Sequence, residues 1–154
     1  MIALLDVYKQ SLLMAKFSSL AYNKEQSFKD LGYESKYIFK KGAEAYLLWD
    51  RNDLIIVCRG TQPNKFEDIV ADIRFNLISN GSTGRVHAGF KHSVDLLWPQ
   101  ISGFLEQYGT DRKIWCTGHS LGAAMATIIA ERTQQQPEYK YIYPNALVIR
   151  YYYL

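Results

Sequence analysis

The stretch from Lys113 to Glu131, KIWCTGHSLGAAMATIIAE, constrains the fold more than any other part of the chain. The apolar run Ile114–Cys116 predicts a short buried strand, and apolar residues recur at helical spacing after Ser120. Between them lies GHSLG at positions 118–122, a G-x-S-x-G sequence. This motif requires a strand before it and a helix after it, and the pattern predicts both.

The two glycines of this motif explain how such a turn forms. The turn is so sharp that the serine adopts a strained backbone conformation, and Gly118 and Gly122 must lack side chains that would clash. The Ser120 hydroxyl would then stand at the N-terminus of a helix, whose dipole favours the negative charge of an attacking oxygen. The alternative is an ordinary strand–turn–helix in which Ser120 serves as the N-cap.

The composition indicates one soluble globular domain over residues 1–154, with 48% hydrophobic and 21% charged residues. The net charge of +3 comes without a basic block, which argues against nucleic acid as a partner. No apolar run is long enough for a transmembrane segment. Asp6 and Lys9 interrupt the apolar N-terminus, so no signal peptide is recognised and we expect a cytoplasmic location.

The cysteines and histidines indicate neither a disulfide framework nor a metal site. Cys58 and Cys116 each lie in an apolar, strand-like run, which predicts two buried free thiols in a reducing compartment. His87, His92 and His119 do not have metal-ligand spacing with other candidate ligands. We therefore expect no metal and no cofactor.

Predicted strands and helices alternate along the chain, which indicates an α/β fold whose sheet is mostly parallel at its centre. Ala45–Trp49 and Leu54–Cys58 flank a cluster of turn residues and predict a hairpin. Leu54–Cys58 is apolar throughout, as in a strand covered on both faces. The other predicted elements are helices within 2–21, 64–77 and 90–105, a strand at 37–39, an extended segment at 86–90 and a final strand around 146–153.

A serine that attacks an acyl group needs a base, a group that orients the base, and donors for the developing oxyanion. In this geometry one donor is the backbone N–H of the residue after the serine, here Leu121. The other follows an earlier central strand, and the Gly60–Thr61 turn is the expected supplier. Thr61 would offer both its N–H and its hydroxyl, although an ordinary turn or capping threonine explains it equally well.

Four sequence blocks resemble the class 3, or fungal-type, lipases of the α/β-hydrolase fold. They are SSLAY at 18–22, CRGT at 58–61, VHAGF at 86–90 and TGHSLGA at 117–123, and the resemblance extends over about residues 12–147. It implies that Ser120 is the nucleophile and that Thr61 and Leu121 form the oxyanion hole. It also implies an acyl-ester lipid substrate, as in triacylglycerol lipases, and peripheral contact with a lipid surface.

The resemblance implies further roles around this site. The block DIVAD at 68–72 has Ile69 where the family usually has Trp, and Asp72 would steady the oxyanion loop. A solvated helix residue is the alternative for Asp72. Residues 62–66 would hold a mobile lid, for which an ordinary surface loop is an equally good explanation.

None of the three histidines is the expected base. The resemblance implies that His87 is structural. His119 adjoins Ser120, and consecutive side chains diverge at such a turn. His92 is predicted on the surface of the helix that follows Phe90.

The remainder of the triad is missing from this sequence. The family order is Ser, then Asp, then His, yet neither Asp nor His follows Ser120. Glu131 lies eleven residues further along the helix, about 16 Å away, and cannot orient a base. After Asn145-Ala146-Leu147 the chain departs from the Gly-x-Pro-Arg segment of the family.

Two hypotheses follow from this departure. The chain is either a serine esterase represented by its N-terminal portion, or a catalytically inactive lipase-like module that binds acyl lipids or a protein partner. We expect an incomplete domain, produced by a frameshift or premature stop near codon 147 or by a gene split in two. Its unpaired sheet edge would make it marginally stable or prone to associate.

Overall fold

The computed structural model describes residues 2–23, 26–60, 77–79, 85–139 and 142–144. A 3-10 turn at Ile2–Leu4 precedes the first helix. The helices are α1 (Val7–Leu20), α2 (Gln26–Lys29), α3 (Ala88–Tyr108) and α4 (Leu121–Gln134). The strands are β1 (Glu34–Lys40), β2 (Ala43–Trp49), β3 (Asp53–Cys58), β4 (Leu77–Ser79), β5 (Arg85–His87), β6 (Lys113–Gly118) and β7 (Ile142–Pro144).

Five of the described strands form one sheet in the order β1-β2-β3-β6-β7, and β4 pairs with β5 separately. β1, β2 and β3 are antiparallel neighbours, whereas β3 with β6 and β6 with β7 are parallel. A parallel pairing requires a long crossover, and α3 lies in the connection from β3 to β6. The α/β class is confirmed; the described part of the sheet is mixed, and its parallel pairings involve the strand that leads to Ser120.

The side chains of β3 supply two cores, one on each face of the sheet. All six residues of this strand are buried, as its continuous apolar run predicts. Leu54, Ile56 and Cys58 pack with residues of α3 and α4. Ile55 and Val57 point to the opposite face and pack with residues of α1. The central strand is thus held from both sides, which makes its carboxyl end a rigid support.

Several predicted elements have different bounds in the structure. α1 begins at Val7 because the Asp6 side chain accepts a hydrogen bond from the Lys9 N–H and caps the helix. β1 is longer than residues 37–39 because its pairing with β2 runs from Glu34 to Lys40. Positions 88–90 were expected to be extended, but they are helical because His87 caps α3.

Two predicted elements fall largely beyond the described ranges. Of the helix expected at 64–77, the structure describes only Leu77, which lies in a strand. The strand expected around 146–153 is also outside the described residues. The structure instead describes a strand at Ile142–Pro144, next to β6.

Both cysteines are buried and free, as predicted. Burial raises the pKa of the Cys116 thiol to about 12. Burial, with a smaller contribution from Cys116, raises the pKa of Cys58 well above its ordinary value. Both thiols are therefore neutral at ordinary pH. Within the described ranges, no helix has the length and apolar character needed to cross a membrane.

Candidate active site

Ser120 occupies the tight turn between β6 and α4, called the elbow below, in a backbone conformation that residues other than glycine rarely adopt. Its φ is 56° and its ψ is −123°. Among the described residues, the only other non-glycine residue with positive φ is Lys41, in the turn between β1 and β2. A non-glycine residue persists in this region only when surrounding contacts enforce it. The strained turn expected from the motif is therefore present.

Close backbone contacts explain why glycines flank Ser120. A Cβ atom on Gly118 would lie 2.4 Å from the carbonyl carbon of Gly122. A Cβ atom on Gly122 would lie 2.3 Å from the carbonyl oxygen of Cys58, the last residue of β3. The first contact allows the turn to close, and the second lets α4 start directly against the end of β3.

A third glycine, Gly60, makes a similar contact from the other side. A Cβ atom on Gly60 would lie 2.5 Å from the carbonyl oxygen of His119. The segment after β3 thus passes against the turn immediately before Ser120. Sequence reasoning placed Gly60 in the oxyanion turn but did not identify this contact, because nothing local in the sequence shows it.

The Ser120 hydroxyl is buried and has no hydrogen-bond partner among the described residues. It makes no side-chain capping bond to α4, so the interpretation of this serine as an ordinary side-chain cap is not supported. Leu121 is the first residue of α4, and the N–H groups of a first helical turn have no partner within the helix. The turn therefore presents a hydroxyl without a described partner, next to the Leu121 N–H, which has no partner within the helix.

The strand that leads to Ser120 is fastened to α1 by a buried polar cluster. The Thr117 Oγ1 atom lies 2.9 Å from Ser18 Oγ and 3.3 Å from the Met14 carbonyl oxygen. The Ser18 hydroxyl also donates to that carbonyl at 2.9 Å. Ser18 belongs to a block that carries the family resemblance, but its partner, 99 residues away, could not be read from the sequence.

His119 points toward the end of α1. Its Nδ1 atom is 3.5 Å from the Tyr22 hydroxyl oxygen, and the two rings meet edge to face with centroids 6.1 Å apart. The Arg59 guanidinium lies over the Tyr22 ring, 5.6 Å from its centroid. Burial raises the pKa of Tyr22, while the Gly60 N–H and the Arg59 charge act in the opposite direction.

Arg59 connects this region to the outer strands of the sheet. It forms an ion pair with Glu44 on β2, and its backbone N–H donates to the Glu44 carbonyl at 3.1 Å. The Tyr37 hydroxyl on β1 donates to the same carboxylate at 2.8 Å. Burial and the hydrogen bond to Glu44 raise the pKa of Tyr37 to about 12, so this phenol stays a donor.

His87 makes contacts at the start of α3. Its Nδ1 atom accepts a hydrogen bond from the Gly89 N–H at 3.2 Å, and its ring packs on Phe90 with centroids 4.9 Å apart. The buried Nε2 atom has no hydrogen-bond partner within the described part of the chain. These contacts agree with a structural role for His87. His92 is exposed on α3, as predicted.

Thr61, Asp72 and residues 62–66 lie outside the described residues, so their expected roles stay predictions. The described residues bring together Ser120, Leu121, the three glycines and Tyr22. β7 pairs with β6 in parallel and places Pro144 beside Cys116, so its carboxyl end lies at the same sheet edge as Ser120. Ligands of open α/β sheets bind outside this edge. Within the described ranges, no group of three or more His, Cys, Asp or Glu residues could hold a metal ion.

Comparison with known proteins shows the family to which the chain belongs. The family model described as "Lipase (class 3)" matches residues 55–149, more than half of the chain. No curated protein matches the chain in sequence.

Solved structures share the fold at low sequence identity. A triacylglycerol lipase whose catalytic centre is a serine-protease triad has a TM-score of 0.71 and 19% identity over 88% of this chain and 59% of its own. The Rhizomucor miehei triacylglyceride lipase has a TM-score of 0.67 and 19% identity, and the match covers 88% of this chain and 60% of the lipase. Lipase II from Rhizopus niveus has a TM-score of 0.69 and 23% identity, and the match covers 88% of this chain and 61% of the lipase. The chain thus spans 59–61% of the length of these three lipases. It belongs to the class 3 lipase family.

Proposed function

We propose that this chain carries the nucleophile and oxyanion hole of a serine ester hydrolase that acts on acyl lipids. Ser120 is the nucleophile, and the backbone N–H groups of Leu121 and Thr61 are the oxyanion donors. The observation that carries the proposal is the Ser120 hydroxyl, which stands on a strained turn at the start of α4 without a hydrogen-bond partner in the described part of the chain. Membership of the class 3 lipase family supports lipid esters as the substrate class.

In the proposed reaction, Ser120 Oγ attacks the carbonyl carbon of the ester and its proton passes to a base. The carbonyl oxygen becomes an oxyanion, which the N–H groups of Leu121 and Thr61 stabilise. Collapse of this intermediate expels the alcohol, and water then hydrolyses the acyl-enzyme. The positive end of the α4 dipole adds to the stabilisation of the negative charge. One such donor accounts for about 10²–10³ in rate.

A base that could accept the Ser120 proton is not identified among the residues of this chain. Neither Asp nor His follows Ser120, and His87 caps α3 through its Nδ1 atom. We therefore expect slow turnover of a short p-nitrophenyl ester by this chain alone, because loss of the base removes most of the rate of a triad. A large difference in turnover between the wild type and Ser120→Ala would identify an upstream base, with His87 as the first candidate.

A phosphonylating ester reagent tests the nucleophile directly, since one slow addition suffices for detection. We expect a single covalent adduct on Ser120, located by mass spectrometry, and none in Ser120→Ala. Ser102→Ala is the matched control, because Ser102 lies on α3 and only donates to the Pro99 carbonyl. An adduct that persists in Ser120→Ala, or no adduct on the wild type, would overturn the proposal.

The second candidate is a module that binds acyl lipids without hydrolysing them. Large apolar side chains are exposed at the start of the chain and support contact with a lipid surface: Leu4 (79%), Val7 (75%), Tyr8 (76%) and Leu12 (61%). Binding to phosphatidylcholine vesicles should then fall in a Leu4→Ser/Val7→Ser variant. It should persist in Ile78→Ser, which changes an exposed side chain on β4. Vesicle binding without a Ser120 adduct would favour this candidate.

A further inference from the structure

The proposed oxyanion hole depends on how the segment after β3 is held against the turn that carries Ser120. These two pieces of backbone meet at Gly60 and His119. The space at the Gly60 Cα is closed on two sides, because a Cβ there would lie 2.5 Å from the His119 carbonyl oxygen and 3.3 Å from the Gly122 nitrogen. Gly60 is followed directly by Thr61. Any shift of Gly60 would therefore move the proposed Thr61 donor relative to Ser120.

The hydroxyl of Tyr22 closes a third side of the same space. It would lie 2.8 Å from a Cβ on Gly60, and it is 3.5 Å from the Nδ1 atom of His119. The Gly60 N–H lowers the pKa of Tyr22 against the effect of burial, as a backbone donor close to the phenolic oxygen does. One side chain from the end of α1 therefore touches both the residue before Thr61 and the residue before Ser120.

The Tyr22 ring is itself held in place. The Arg59 guanidinium lies over one face, and the His119 ring meets it edge to face. Arg59 is anchored in turn by its ion pair with Glu44 on β2. At the other end, Tyr22 follows Ala21, the C-cap of α1, and Ser18 of this helix is tied to Thr117 on β6. Both ends of the contact are thus fixed to the sheet, so the hydroxyl is preorganised.

We infer that Tyr22 is a positioning residue for the oxyanion hole: its hydroxyl holds Gly60 against the elbow and so fixes the peptide that supplies the second oxyanion donor. The inference rests on the proposed function and assigns a residue that the mechanism itself does not use. Tyr22 acts through Gly60 and does not touch the reacting atoms. Its removal should therefore weaken stabilisation of the transition state and leave substrate affinity unchanged.

Tyr22→Phe is the sharpest variant because it keeps the ring, the contact with Arg59 and the packing on His119, and removes only the hydroxyl. Tyr37→Phe is the matched control, since it removes a phenolic hydroxyl that bonds to Glu44 in the same network but away from Gly60. Both variants should melt cooperatively, and the melting temperature of each should be recorded before any other comparison.

The first readout is hydrogen exchange of the Gly60 amide, followed by NMR. We expect exchange to become about fivefold to tenfold faster in Tyr22→Phe, because the Gly60 amide loses the phenolic oxygen that lies close to it. Exchange at Val57, inside β3, should not change in Tyr22→Phe, and exchange at Gly60 should not change in Tyr37→Phe. Unchanged Gly60 exchange in Tyr22→Phe, or an equal rise at Val57, would overturn the inference.

The second readout is saturation kinetics of phosphonylation at Ser120. The maximal inactivation rate should fall about tenfold in Tyr22→Phe while the half-saturating concentration stays constant, because a misplaced donor affects the transition state alone. If the wild type is labelled and Tyr22→Phe is inactivated at the same maximal rate, the positioning role is refuted and the proposed function stands. If the wild type is not labelled, the proposed function fails, and Gly60 exchange alone decides whether Tyr22 holds this peptide.

Discussion

The two ends of the β3–β6 strand pair contain opposite kinds of polar site. At the amino end, where Asp53 pairs with Lys113, the buried Asp53 carboxylate accepts hydrogen bonds from the Ile2 N–H at 3.0 Å and the Trp115 indole at 2.9 Å. At the carboxyl end, the buried Ser120 hydroxyl has no partner among the described residues and its backbone is strained.

Within one pair of strands, a polar group that stabilises the fold thus contrasts with one whose proposed role is chemical. A buried polar group with all its partners stabilises the fold, whereas an unpartnered one in a strained conformation costs stability and marks a site of function. The substitutions below test this contrast, and their expected effects on the free energy of unfolding run from the largest to the smallest.

Gly122→Ala should have the largest effect, because its Cβ would overlap the Cys58 carbonyl oxygen at 2.3 Å. We expect a loss of more than about 3 kcal/mol in urea unfolding, since neither β3 nor α4 can move away without disturbing both cores. Gly103→Ala is the control on α3, where a Cβ meets nothing within 4 Å. It should instead stabilise the protein by about 0.5–1 kcal/mol. Equal effects of the two variants would show that the elbow is not tightly packed.

Asp53→Ala should cost about 2–3 kcal/mol, because the indole of Trp115 and the N–H of Ile2 would each lose a buried acceptor. Asp111→Ala, an exposed position in the turn before β6, should stay within about 0.5 kcal/mol of the wild type. Chemical denaturation of both variants measures the difference. If Asp53→Ala proved neutral, the amino end would not be the stabilising end.

Thr117→Val should cost about 1–2 kcal/mol, because the buried hydroxyl that joins β6 to α1 is lost while the volume is kept. Thr117→Ser retains the hydroxyl and should preserve the contact with Ser18, although it loses a methyl group. Thermal melts of the two variants separate these effects. A Thr117→Val variant as stable as Thr117→Ser would mean that α1 is held by apolar packing alone.

Substitutions at Ser120 should have the smallest effects, and one of them should stabilise the protein. Ser120→Ala should change stability by less than about 0.5 kcal/mol, because the removed hydroxyl has no described partner. Ser120→Gly should raise stability by about 1 kcal/mol, because glycine adopts a φ of 56° without strain. Both variants should lose the phosphonate adduct. Destabilisation by Ser120→Gly would argue that the turn is not strained.

The elbow and the α/β class could be predicted from the sequence because their constraints are local. The steric requirement at Gly118 involves Gly122, four positions away, whereas the requirement at Gly122 involves the distant Cys58 carbonyl. A strand buried on both faces needs a continuous apolar run such as β3. The free, buried state of Cys58 follows from the same run. Element bounds were less accurate because N-capping by Asp6 and His87 decides where two helices begin, and pairing with β2 decides how far β1 extends.

Only the tertiary structure decided which distant polar groups meet. Asp53 contacts Trp115 across 62 positions, Ser18 contacts Thr117 across 99, and Tyr22 reaches His119 across 97. A periodic pattern records which face of an element is buried but not which residue lies opposite, because that depends on strand order and on how α1 lies on the sheet. Sequence alone therefore determined that Ser120 would stand on a strained turn, and the packing of α1 and β3 determined what holds it there.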